Sequence, residues 1–128
     1  YDFDDKVTEK NSVQYEGFEK ALHKAKKEHK IIMLKVMTKD CHFCRKMDRE
    51  VLVEEEIIEM LKEDFITVAI DLAVTEVPLG LKTEITPSFI FINQDAEVLM
   101  NLPGSWKKTD FIEILKEAKI KQRQKDLR

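Results

Sequence analysis

The sequence predicts an α/β domain in which a central mixed sheet of four or five strands is flanked by helices. Apolar residues at helical spacing alternate with short β-branched runs, in the order helix, strand, helix, strand, loop, strand, strand, helix. The run Ile31–Met37 is apolar except at Lys35, the pattern of a strand covered on both faces. The last two strand runs are separated by Asn93-Gln94-Asp95-Ala96, a hairpin turn. A strand–helix–strand unit followed by a hairpin and a closing helix places helices on both sides of the sheet.

Each element has its own signal. Residues 1–14 are polar apart from Tyr1, Phe3, Val7 and Val13, and form an extended lead-in. Phe18, Ala21, Leu22 and Ala25 fall on one face of a helix spanning about Tyr15 to His29, with lysines crowding its C-terminal half where the dipole favours cations. Strand Ile31–Met37 leads through Thr38-Lys39-Asp40 into a helix that begins at the cysteines. Met47 and Val51 share a face, the phase slips near Leu52-Val53, and Glu54-Glu55-Glu56 suits a fresh helix start; the spacing predicts a break there. Phe65–Leu72 is a β-branched strand. Residues Ala73 to Thr86 have no period and contain Pro78 and Gly80, so they form a loop with at most one helical turn. Pro87–Ile92 and Glu97–Asn101 are the hairpin strands, and Pro103-Gly104-Ser105 turns the chain. Ser105 or Thr109 caps a last helix from Asp110 to about Lys119, with Phe111, Ile114, Leu115 and Ala118 inward. The charged end, residues 120–128, is expected to fray.

Composition narrows the function. The chain has 128 residues, 43% hydrophobic and 37% charged, with a net charge of −3. That fits a single domain over residues 1–128 with a core under a solvated surface, and it gives no electrostatic case for nucleic acid. No apolar run approaches the roughly 20 residues needed to span a bilayer. The chain starts at Tyr1 with no basic-then-apolar leader, as a mature form with its secretory leader removed would. A G-x-G-x-x-G loop is absent, so no nucleotide or flavin cofactor is expected and electrons must come from another protein.

The two cysteines, Cys41 and Cys44, are spaced C-x-x-C. A structural zinc site needs two further ligands. A bridge across so short a loop removes little unfolded-chain entropy. With strand–helix–strand patterning around it, the spacing points to a redox dithiol.

The C-x-x-C at a helix start, the Thr86-Pro87 step before a strand, the strand–turn–strand and the Gly104 turn fall in one order from Phe18 to Ala118. This order resembles the thioredoxin superfamily, and the stretches around CHFCRKMDREV and TPSFIFINQDAEVLMNLPG resemble its exported bacterial members. The resemblance implies a thioredoxin fold and a thiol-disulfide oxidoreductase, a reductase or general oxidoreductase rather than an isomerase. Cys41 would attack and Cys44 would resolve the mixed disulfide. Pro87 would be cis, and the backbone at Thr86 would pair with an extended substrate beside which Phe43 offers an apolar contact. A helix start and a protonated His42 both favour the thiolate of Cys41.

Two positions depart from thioredoxins proper: Asp40 stands in place of Trp, and Lys35 in place of a buried acid. Lys35 could tune thiol pKa by shuttling a proton if its own pKa is depressed, or its stem could snorkel to the surface. The implied partners are protein disulfides or dithiols and a protein electron donor or acceptor, engaged by a monomer in the periplasm or otherwise exported, with the cytoplasm as the alternative. Two other functions fit the same residues: a peptide-binding module docking on Thr86-Pro87 without redox turnover, and a C-x-x-C metal-binding domain. As a dithiol enzyme the chain needs no metal.

Overall fold

A computed structural model describes residues 12–127. Of the lead-in expected over residues 1–14, residues 1–11 lie outside the described residues. The elements are α1 (Phe18–Glu28), β1 (Ile31–Met37), α2 (His42–Glu50), α3 (Glu55–Asp64), β2 (Phe65–Asp71), a 3-10 turn (Pro78–Gly80), β3 (Ser88–Ile92), β4 (Val98–Pro103) and α4 (Lys108–Asp126).

The sheet has four strands in the order β2-β1-β3-β4. β1 runs parallel to β2 and antiparallel to β3, and β4 runs antiparallel to β3. Side chains alternate across the sheet. Ile31 and Met33 therefore enter one core with Phe89, Phe91, Met47 of α2, Ile57 and Leu61 of α3, and Phe111 and Leu115 of α4. Ile32, Leu34 and Val36 enter the opposite core with Ala21 and Ala25 of α1. Both faces of β1 are covered, which is why its run is apolar throughout but for Lys35. Phe89 and Phe111 meet edge to face at 5.0 Å between centroids and join sheet to α4.

The expected break between two helices falls at residues 51–54, where Val51 leaves helical geometry and Glu54 takes the N-cap position of α3 without a side-chain cap. Three expectations are corrected. The first helix begins at Phe18 rather than Tyr15, because Tyr15 bridges to Thr67 and the Glu16 N–H donates to the Thr67 carbonyl, lining the outer edge of β2. α4 starts after Lys107 with no side-chain cap, neither from Ser105 nor from Thr109. It does not fray at residue 120 but runs to Asp126: Gln122 is buried, Lys125 pairs with Glu97, and His29 Nε2 lies 3.1 Å from Asp126.

Candidate active site

The site is assembled by strand register. Val36, near the end of β1, pairs with Ser88 at the start of β3, and Ser88 pairs with Pro103 at the end of β4. Thr38–Cys41, Thr86-Pro87 and Gly104 thus emerge at the same end of the sheet. That is the carboxyl end of the parallel pair β1 and β2, where α/β sheets gather their functional loops.

Cys41 is the N-cap of α2, with extended backbone at φ −94 and ψ 102. Its Sγ accepts the Cys44 N–H at 3.1 Å, so one of the unpaired first-turn donors is satisfied by sulfur. Cys41 and Cys44 are joined as a disulfide with 5.2 Å between Cα atoms. Both are largely enclosed, 8% and 5% exposed. When the bond is reduced, the same N–H and the positive end of the helix dipole would stabilise a thiolate at Cys41. Asp40, just before it, takes a left-handed conformation at φ 54, which Asp tolerates better than the large or β-branched residues. His42 and Phe43 face solvent with rings edge to face at 5.2 Å, and Phe43 is 53% exposed.

The Thr86-Pro87 bond is cis. The Pro87 carbonyl accepts the Gly104 N–H at 2.7 Å, and Gly104 holds φ 98, a conformation that favours glycine. Ser88 Oγ donates to the Ile85 carbonyl at 2.6 Å, tying down the segment that precedes the proline. Ile85 itself is 54% exposed.

Lys35 is not gathered with these residues. It lies on the Ile31–Met33 face of β1 beneath α2, 5% exposed. Its Nζ donates to Asp48 Oδ1 at 2.6 Å and to Tyr15 Oη at 3.2 Å, and stands 4.9 Å from the centre of the Tyr15 ring. Burial works against its charge, but the facing Tyr15 and Asp48 oxygens more than offset this, and its pKa is raised above the usual lysine value. This corrects both expectations for Lys35: the ammonium neither snorkels to solvent nor has the depressed pKa a proton shuttle needs. Partial burial likewise raises the pKa of Tyr15, which is still 40% exposed, against the lowering influence of Lys35.

Asp48 is the participant the sequence analysis missed. It lies four residues beyond Cys44, one turn along α2, so its half-exposed place on the flank toward Lys35 could have been found by extending the cysteine face. Tyr15 gave no such signal, since its contact with Lys35 spans 20 residues. Trp106 packs against the Phe89 core, and its backbone N–H lies 3.2 Å from Met47 Sδ.

Residues 18–119 match the thioredoxin-like domain family. The chain belongs to that family. Human spermatogenesis-associated protein 20 is 42% identical over 57 residues, 44% of this chain. The chain spans only 7% of the length of that relative. Among solved structures, a thioredoxin from Thermus thermophilus superposes with a TM-score of 0.74 at 21% identity, covering 87% of this chain and 90% of that one. DsbH oxidoreductase gives 0.69 at 22% identity, covering 84% of each chain. The periplasmic thioredoxin SoxS from Paracoccus pantotrophus gives 0.59 at 15% identity, covering 72% of this chain and 98% of that one. At these identities the structures speak for the fold. The thioredoxin-like domain and its C-x-x-C pair support thiol-disulfide oxidoreductase chemistry in general terms.

Proposed function

We propose that this thioredoxin-like domain is a protein thiol-disulfide oxidoreductase acting through Cys41 and Cys44, as a reductase or general oxidoreductase rather than an isomerase. The observation that carries it is the placement of Cys41 as N-cap of α2, its sulfur accepting the Cys44 N–H.

In the reducing direction the Cys41 thiolate attacks one sulfur of a partner disulfide. A Cys41–partner disulfide forms and the partner's other sulfur leaves as thiolate. Cys44 then gives its proton to solvent and attacks Cys41 Sγ, expelling the partner's second thiolate. Two electrons pass to the partner, the leaving thiolates take up protons, and the chain ends with the Cys41–Cys44 bond. His42, beside Cys41, adds positive charge when protonated and favours the thiolate. Phe43 supplies an apolar contact, and the backbone at Thr86, ahead of Pro87, pairs with an extended substrate segment. Lys35 acts as a fixed cation under α2. A protein donor or acceptor resets the dithiol, and the domain works as a monomer. The periplasmic thioredoxin among its structural neighbours supports work outside the cytoplasm.

The test is trapping. The Cys44→Ser variant should accumulate covalent mixed disulfides with a disulfide protein such as insulin, and Cys41→Ser should lose turnover. Full insulin-reducing activity in Cys44→Ser would overturn the mechanism.

A further inference from the structure

The outward face of α2 carries cations that make no ion pair among the described residues. Arg45, Lys46 and Arg49 are exposed, and Lys39 and Lys107 are exposed on the segments to either side. Among the described residues none of these five side chains makes an ion pair or hydrogen bond. Several lysines elsewhere find acids, as Lys24 meets Glu16, Lys108 meets Glu54 and Lys119 meets Asp64, while Lys26, Lys27 and Lys82 are exposed without such pairs among the described residues. Asp48, three residues past Arg45 on α2, could have answered it, but its carboxylate is taken by Lys35 at 2.6 Å. Lys46 also borders a groove of about 430 Å³ between α2 and residues 105–108, lined by Met47, Val51 and Trp106, with Lys107 on its rim. The acid at this groove, Glu50, leaves the face cationic in a chain whose net charge is −3.

The face begins at the turn that bears the dithiol. Helical spacing puts His42, Arg45, Lys46 and Arg49 on one stripe, with Arg49 roughly 10 Å along the axis from His42. A protein whose disulfide is held at Cys41 must lay its neighbouring residues over this stripe or the loop opposite. Charge complementarity then selects among partners, and it does so mainly through the rate of encounter.

We propose that the α2 stripe with its Trp106 groove is a docking surface for an acidic segment flanking the reactive cysteine of the partner protein. This rests on the oxidoreductase reading above and adds the chemistry of the partner.

Two peptides serve as probes, each with the same intrachain disulfide, one flanked by glutamates and the other by lysines, beside the small neutral hydroxyethyl disulfide. The reduced domain should oxidise on the Glu-flanked peptide about 10-fold faster than on the Lys-flanked one at low salt, and the advantage should vanish near 0.5 M salt, where charges are screened within about 4 Å. Arg45→Glu with Arg49→Glu should reverse the ratio of the two peptide rates, each taken relative to the rate with hydroxyethyl disulfide, which reports any change at the thiol itself. Equal rates for the two peptides at low salt would overturn the docking proposal, as would a reversal variant slowed equally with the neutral probe, since the charges would then act on the thiol. No exchange with any of the three probes would overturn the oxidoreductase reading, and the docking proposal with it.

Discussion

Lys35 Nζ sits 2.6 Å from Asp48 Oδ1, and this contact pins β1 to α2 one helical turn beyond Cys44. The two partners are unequal. The Lys35 side chain is 6% exposed and that of Asp48 45%, so only the carboxylate can be rehydrated where it stands.

The inequality predicts asymmetric losses. Asp48→Ala strands an ammonium in an enclosed site with Tyr15 as its remaining partner, and should cost about 3 kcal/mol. Lys35→Met leaves a carboxylate that water can reach and should cost under about 1 kcal/mol. Urea unfolding of the two variants measures the difference.

The same pair should tune the dithiol with opposite signs. Lys35→Met removes a cation from under α2, disfavours thiolate and should make the pair more reducing. Asp48→Asn removes an anion and should make it more oxidising. Shifts on the order of 10–30 mV are expected, since about 30 mV is a tenfold change in the two-electron equilibrium. Equilibration against dithiothreitol reads them. Shifts of the same sign would mean that the pair acts only as a structural tie.

Alkaline pH should loosen the fold through this cluster. Tyr15, raised above 10.0 by burial, and Lys35, raised above 10.5 as Tyr15 and Asp48 outweigh its burial, both keep protons in the folded state that the unfolded chain has begun to release. The stability they contribute is complete below about pH 10 and is lost as pH climbs through the raised folded values. The urea midpoint should fall more steeply above pH 10 in the wild type than in a Tyr15→Phe, Lys35→Met double variant.

Gly104 offers a test of backbone strain free of crowding. A Cβ there would meet nothing within 4 Å, yet φ is 98. Gly104→Ala should cost about 1–3 kcal/mol in thermal or urea unfolding from conformation alone. Alanine keeps the backbone N–H that donates to Pro87, so the reduction potential should hold.

Much of the fold was legible because its signals are local. The continuous run of β1, the phase slip before Glu54 and the turn at Asn93 each show within a few residues. The dithiol was legible from spacing and setting. The helical character of residues 120–126 was not, because composition reports only charge there; the anchors are Glu97 and His29, far away in sequence. Local spacing places Tyr15 in a helix, and its pairing with Thr67 outranks that propensity. Lys35 was ambiguous for the same reason: a lone lysine in an apolar strand is explained only by the partners that three-dimensional packing brings to it.

The bridge that Tyr15 and Glu16 make to Thr67 has a consequence for colloidal behaviour. β2 is the parallel edge of the sheet, and a bare edge is a template on which a second chain can extend the ladder. With Tyr15 bridged to Thr67 and the Glu16 N–H on the Thr67 carbonyl, that edge is blunted at its middle. A version trimmed through Glu16 would keep the dithiol and the buried residues of both cores, would lose Val13 from the edge of one and Tyr15 from Lys35, and would lose its guard against edge-to-edge self-association, with aggregation during refolding as the outcome.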